Sequence, residues 1–327
     1  MRRKNQFRWW LVVFVTIAGL LFAGVAAART TFISIGTGGT GGIYYPYGGG
    51  VAEIWSKYVP GVKAVAEVTG ASVENVKLAH KGETVVGEVM GDVAVAGYQG
   101  TSKFKGKKHD ILGMAIMYPN LLQVVTLKSS GITDIEQLKG RNISTGSPGS
   151  GTNFMAEAVL KALGINKGDY KDSRLSFTES ANALRDGTIE VGFWSVGPGT
   201  SSILDLATTH DIHIINFTPQ QTEKILAANA TYSAVDLGGG VYRGVDQPVP
   251  TIGVWNVMIC QSTLKTDMVY KLVKALYENN DYLLKIHPSA AYTTPENAVK
   301  YCPVPLHPGT IKYLQEKGLA VPEKLMP

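Results

Sequence analysis

Short β-rich runs alternate with helical stretches along most of this chain, and several of the junctions between them are built from glycine, serine and threonine. Residues 31–35 read as a strand, followed by a glycine loop and a helix over about 49–58. Residues 62–68 read as a second strand, 73–79 as a short helix and 92–96 as a third strand. Two more strands, 111–118 and 121–127, are broken at Pro119. This alternation implies a parallel or mixed sheet with helices on its faces.

A second series follows. Thr133 to Glu136 has a capping-box start, and Gly140 ends that helix. Residues 141–145 form a strand, 147–151 a loop and 152–163 a helix. Strands are expected at 173–177, 189–194 and 212–215, with helices starting near Ser180, Thr200 and Thr218. Residues 238–250 form a loop and 251–259 a long apolar strand. The remainder is helical, with Met268, Leu272, Leu276 and Leu283 on one face.

The fold class expected is therefore α/β, two lobes with mixed sheets flanked by helices and a ligand cleft between them. The strands near 111–127 and 251–259 are the natural crossings. They give one discontinuous lobe, 29–120 plus 251–327, and a second lobe, 121–250. Inter-lobe clefts are favoured ligand sites.

The N-terminus reads as an address. Arg2, Arg3, Lys4 and Arg8 precede an apolar run over 11–23, and Ala26-Ala27-Ala28 offers small side chains for cleavage. This is the pattern of a secretory signal peptide over 1–28. The alternative is an uncleaved membrane anchor. The net charge of +5, from 31 basic and 26 acidic residues, falls to 27 − 26 = +1 once those four cations are removed. A nucleic-acid partner therefore has no electrostatic basis. With 45% hydrophobic and 17% charged residues, the chain is not a disordered protein. The expected location is outside the cytoplasm, where ATP and NAD are scarce, so no cofactor is expected. Cys260 and Cys302 are the only cysteines. An oxidising compartment permits a bridge between them, and two unpaired buried thiols are the alternative.

Gly36-Thr37-Gly38-Gly39-Thr40-Gly41 matches G-x-G-x-x-G after a strand. As a dinucleotide site it is weak. Pro46 and three tyrosines stand where the helix should already run, and Glu67 comes too late for the ribose acid. Glycines at a strand-to-helix turn do expose backbone N–H groups that hold an anion. Similar turns recur at Thr69 to Ser72 and at Thr145 to Thr152. Together the three form a carboxylate clamp, with Tyr44, Tyr45, Tyr98 and Trp194 as possible walls. Catalytic sets are thin: there is no G-x-S-x-G elbow and no H-E-x-x-H, so an enzyme is not expected. No metal site is expected either. The basic run Lys103 to His109 reads as a solvated loop.

Five stretches then resemble one family in its own order: residues 32–49 (FISIGTGGTGGIYYPYGG), 69–76 (TGASVENV), 131–140 (GITDIEQLKG), 149–152 (GSGT) and 304–309 (VPLHPG). The chain resembles the TAXI family, the solute-binding proteins of TRAP transporters. The resemblance implies a two-lobed receptor of the periplasmic binding protein fold that closes on a small anion, glutamate-like or 2-oxoglutarate-like, and hands it to TRAP permease subunits in the membrane; a monomer is expected. It places binding on Gly41, Gly42 and Tyr44, on Ser72 and Asn75, and on Ser147, Ser150, Gly151, Thr152 and Trp194. Many members carry Gln-Ser-Asp where this chain has Tyr98-Gln99-Gly100. Tyr98 and Gln99 thus join the expected set without the acid, and that favours an amine-free dicarboxylate over glutamate. The rival readings are a receptor that presents its solute to a membrane sensor, and an exported hydrolase.

Overall fold

The computed structural model describes residues 30–327; the expected signal segment lies outside them. Among the described residues, no helix is long and apolar enough to cross a membrane. Strand and helix alternate from the start. β1 (Thr31–Gly36) leads into α1 (Tyr44–Tyr58), and β2 (Val62–Glu67) into α2 (Ser72–Lys81). β3 (Val86–Met90) runs directly into α3 (Gly91–Gln99), and β4 (Leu112–Leu127) follows. The second series comprises β5 (Asn142–Ser144), α4 (Gly151–Ala162), β6 (Lys171–Asp172), α5 (Phe177–Arg185), β7 (Val191–Val196), α6 (Ser201–Thr209), β8 (Ile212–Ile215), α7 (Pro219–Ala228) and β9 (Ser233–Leu237). β10 (Val249–Cys260) precedes α8 (Thr266–Glu278), α9 (Asn280–Ile286), α10 (Pro295–Tyr301) and α11 (Pro308–Glu316).

The strands form one mixed sheet in the order β2-β1-β3-β10-β4-β7-β5-β6, with β8 on β4 and β9 on β10. β1 is parallel to β2 and β3, and β5 is parallel to β6 and β7. β4 and β10 are long antiparallel strands that change partners midway. β4 pairs with β10 from Leu112 to Leu121, then with β7 from Leu121 to Thr126. β10 pairs with β9 up to Gly253 and with β3 from Asn256 onward. Trp55 on α1 donates its indole N–H to Leu272 O on α8 at 2.9 Å, which ties the C-terminal helices back onto the first strands.

Several expected boundaries differ. Pro119 does not break β4. It sits opposite Trp255, beside a register shift, and the β7 pairing begins only at Leu121, so its missing N–H costs no regular ladder bond. The third strand is residues 86–90, and 92–96 is helical. Gly87 and Glu88 interrupt the apolar pattern of the real strand, while the alternation at 92–96 mimics one. The strand expected at 173–177 is only Lys171–Asp172, because Ser176 caps α5 with Glu179 in a reciprocal capping box. β9 was not expected. α1 starts at Tyr44 with Pro46 in its first turn, a position where a missing N–H is tolerated.

No disulfide forms: Cys260 and Cys302 are both free and buried. Cys260 pairs with Leu112 across β4 and β10, and Ile259 pairs with Gly113. A Cβ on Gly113 would lie 2.6 Å from Cys302 Sγ, so Cys302 covers the Gly113 face. Neighbouring residues on a strand point to opposite faces, which puts Cys260 on the other side of the sheet.

Candidate functional site

A cavity of about 470 Å³ opens where the strand ends turn into helices. Four turns line it: residues 38–44 before and into α1, 68–72 into α2, Ser147 and 150–152 into α4, and 176–178 into α5. Met90, Asn120, Ser195 and Val196 complete the wall. Met90 is the residue immediately before α3.

Each turn is held from behind. In the second, the Thr69 hydroxyl bonds Thr37 O at 2.9 Å and Asn75 Oδ1 at 2.7 Å, and it accepts from Ala71 N at 3.0 Å. Ala71 is thereby fixed at φ 68° and ψ −147°, a region that only glycine occupies without strain. In the third, Gly146 and Gly149 take φ 99° and 83°, and Ser150 Oγ caps α4 by accepting from Asn153 N at 3.0 Å. Thr145 Oγ1 behind it donates to Asp172 Oδ2 at 2.7 Å. On the floor, Asn120 donates to Ser195 O at 2.8 Å and accepts from Asn256 Nδ2 at 2.8 Å. Asn256 Oδ1 accepts from the Tyr44 hydroxyl at 2.6 Å.

The walls meet closely. A Cβ on Gly151 would strike Met90 Sδ and lie 2.6 Å from Ser72 Oγ. A Cβ on Gly41 would strike Thr178 Oγ1, and one on Gly42 would lie 3.1 Å from the Phe177 ring. Glycine at these positions lets the helix starts approach each other.

None of the described residues lining this cavity carries a charge. The polar groups are hydroxyls, one amide and backbone. Yet the first residues of α1, α2, α4 and α5 all line it, and α3 begins directly after Met90. Each helix start carries about half a positive charge and N–H groups without helical partners. The arrangement is suited to holding an anion without a cationic side chain.

Of the expected binding residues, Gly41, Gly42, Tyr44, Ser72, Ser147, Ser150, Gly151 and Thr152 line the cavity. Four others do not. Asn75 is fully buried; its Nδ2 is shared among the carbonyls of Gly36, Thr37 and Glu88 at 2.7–3.0 Å, so it shapes the turn from below. Trp194 is also fully buried. Its indole donates to Ser202 Oγ at 3.1 Å and its ring stacks behind Phe177. Tyr98 and Gln99 lie at a separate surface cavity with His80, Lys108, His109 and Asp110. Because their segment is helical, they stand roughly 13 Å along α3 from its start at the cavity. The fourth turn, with Phe177 and Thr178, and the floor residues Met90, Asn120 and Ser195 were not expected. The Ser176-to-Glu179 capping box was the legible signal for that turn.

Two buried carboxyls stand close by. Burial pushes Glu88 well above the ordinary carboxylate range. Asp92 is raised to about 6 by burial, against the opposing pull of its bonds from the Tyr232 hydroxyl and Val93 N.

The sheet order and the cavity at the strand ends define a mixed α/β fold of the kind found in periplasmic solute-binding proteins. Residues 35–318 match the NMT1-like family, and the chain belongs to it. Solved structures share the fold at low identity. A ligand-binding component of an ABC-type import system from Staphylococcus aureus, solved with zinc bound, is 12% identical, with 91% of this chain and 97% of that chain covered and a TM-score of 0.50. A provisionally named L-cystine ABC transporter from Listeria monocytogenes is 13% identical, with 84% and 97% covered and a TM-score of 0.50. A protein from Bordetella bronchiseptica RB50 is 18% identical, with 87% and 88% covered and a TM-score of 0.52.

Proposed function

We propose that this protein is an extracytoplasmic solute receptor that binds a small carboxylate and delivers it to a TRAP-type membrane permease. One observation carries the reading: several helix N-termini converge on a cavity whose described lining holds no charged side chain. Gly149 O takes Val73 N and Glu74 N, and Ser150 and Ser176 cap Asn153 N and Glu179 N; a carboxylate suits the dipole field of the four starts and the helix-start N–H groups outside those caps. The lining also lacks a base to activate its hydroxyls, which supports a receptor over a hydrolase. The family and the import-system relative support transport; the TAXI resemblance supports the TRAP partner and a periplasmic address set by residues 1–28.

In this reading the lobes are 29–120 plus 251–327, and 121–250. They move about the point where Leu121 of β4 faces Gly253 of β10. Closure brings α4 and α5 of one lobe against α1 and α2 of the other and completes the coordination shell. A thermal-shift screen of small mono- and dicarboxylates tests this. At least one should raise the melting temperature by several degrees, since a ligand that binds only the folded state stabilises it. No shift across the panel contradicts the reading.

A further inference from the structure

Beneath the cavity lie buried polar atoms without partners. Glu88 stands two residues before Met90 on β3, so both side chains leave the same face of the strand. Met90 reaches the cavity. Glu88 is fully buried, and neither of its carboxyl oxygens has a hydrogen-bond partner. The Tyr118 hydroxyl is also buried and unpartnered. α1 is cut back over this spot, because a Cβ on Gly48 would lie 3.0 Å from Glu88 Oε1. The rings of Tyr47 on α1 and Tyr118 on β4 lie 5.4 Å apart, which sets the Tyr118 side chain beside the stretch of α1 that covers Glu88. No cation contributes to the Glu88 shift; burial alone sets it. α1 links the two compartments, since Tyr44 lines the cavity and Gly48, one helical turn further on, lies over Glu88.

Unpartnered buried polar groups are rare and mark a missing ligand or water. Here there are three acceptor atoms: two carboxyl oxygens and one phenol oxygen. An ammonium group has three N–H donors and a positive charge. We propose that Glu88 and Tyr118 form a second polar subsite, reached past Tyr44, that takes the ammonium group of the solute and makes the receptor select amino acids over the matching oxo acids. The proposal rests on the carboxylate reading of the cavity: the helix starts hold the carboxylate and Glu88 holds the amine. It supplies an acid that the Tyr98-Gln99-Gly100 segment lacks. Glu88 is neutral in the empty pocket and becomes the carboxylate when the ammonium enters, its proton leaving to solvent.

Isothermal titration with matched pairs tests it: L-glutamate and 2-oxoglutarate, L-leucine and 4-methyl-2-oxopentanoate, L-alanine and pyruvate. In the pair that binds best, the amino acid should bind at least about tenfold tighter than its oxo acid. Glu88→Gln should cut amino-acid affinity about tenfold or more and leave oxo-acid affinity within about twofold. Tyr118→Phe should act in the same direction, about threefold. Thermal melts establish that both variants fold, and Tyr118→Phe removes only an atom that bonds to nothing in the fold. An oxo acid that binds as well as its amino acid, or a Glu88→Gln variant with unchanged amino-acid affinity, overturns the subsite alone. No binding by any member of any pair overturns the carboxylate reading and the subsite with it.

Discussion

The carbonyl of Gly149 accepts a hydrogen bond from Val73 N at 3.0 Å, and a second, longer one from Glu74 N at 3.4 Å. α2 has no side-chain cap; its N-cap is the strained Ala71. A carbonyl from the turn before α4 therefore caps α2 from across the cavity. The bond joins the two walls directly and uses N–H groups that would otherwise face solvent.

That bond makes Gly149 a latch. Gly149→Ala places a Cβ at φ 83°, which favours glycine by about 1 kcal/mol. The strain is relieved by moving the turn away from α2. The expected result is about a tenfold loss of affinity for the bound carboxylate, with little change in the unliganded melting temperature. Calorimetry beside a thermal melt checks both halves of the statement.

Asn75 has a different role. Its amide nitrogen serves three carbonyls and its Oδ1 accepts from Thr69, all below the cavity wall. Asn75→Ala should lower unfolding stability by about 2–4 kcal/mol, because buried carbonyls lose their donor. Urea denaturation measures it. A weaker binder of unchanged stability would instead make Asn75 a ligand residue.

Asp92 gives a pH signature. Its folded pKa of about 6 lies above the ordinary aspartate value, so the folded state keeps a proton that the unfolded chain has lost. Its contribution therefore falls as pH rises from roughly 4 to 6, by about 3 kcal/mol at most. Asp92→Asn cannot titrate. Its stability relative to the natural chain should rise across that window and level off above it. Parallel stability curves for the two proteins would contradict the assignment.

The sequence made the β-α alternation and three of the four turns legible, because glycine, serine and threonine mark a strand-to-helix junction by composition. It misled where local pattern and tertiary context disagree. The alternation at 92–96 suits a strand, but Gly91 and Asp92 open a helix that Gly100 stops in a left-handed conformation. That single reversal moves Tyr98 and Gln99 out of the cavity. Trp194 shows another limit: Ser195 and Val196 reach the cavity from the same strand end, and only the packing of α5 and α6 turns the indole the other way. Glu88 was hidden for the same reason. A lone glutamate between glycine and valine looks solvated until α1 is laid across it.

The central claim is that backbone N–H groups at helix starts, rather than a cation, hold the solute's negative charge. Calorimetric titration with the best-binding carboxylate and with its uncharged primary amide tests this most directly. The account predicts that the carboxylate binds at least about a hundredfold more tightly than the amide. Equal affinity for the two would contradict it.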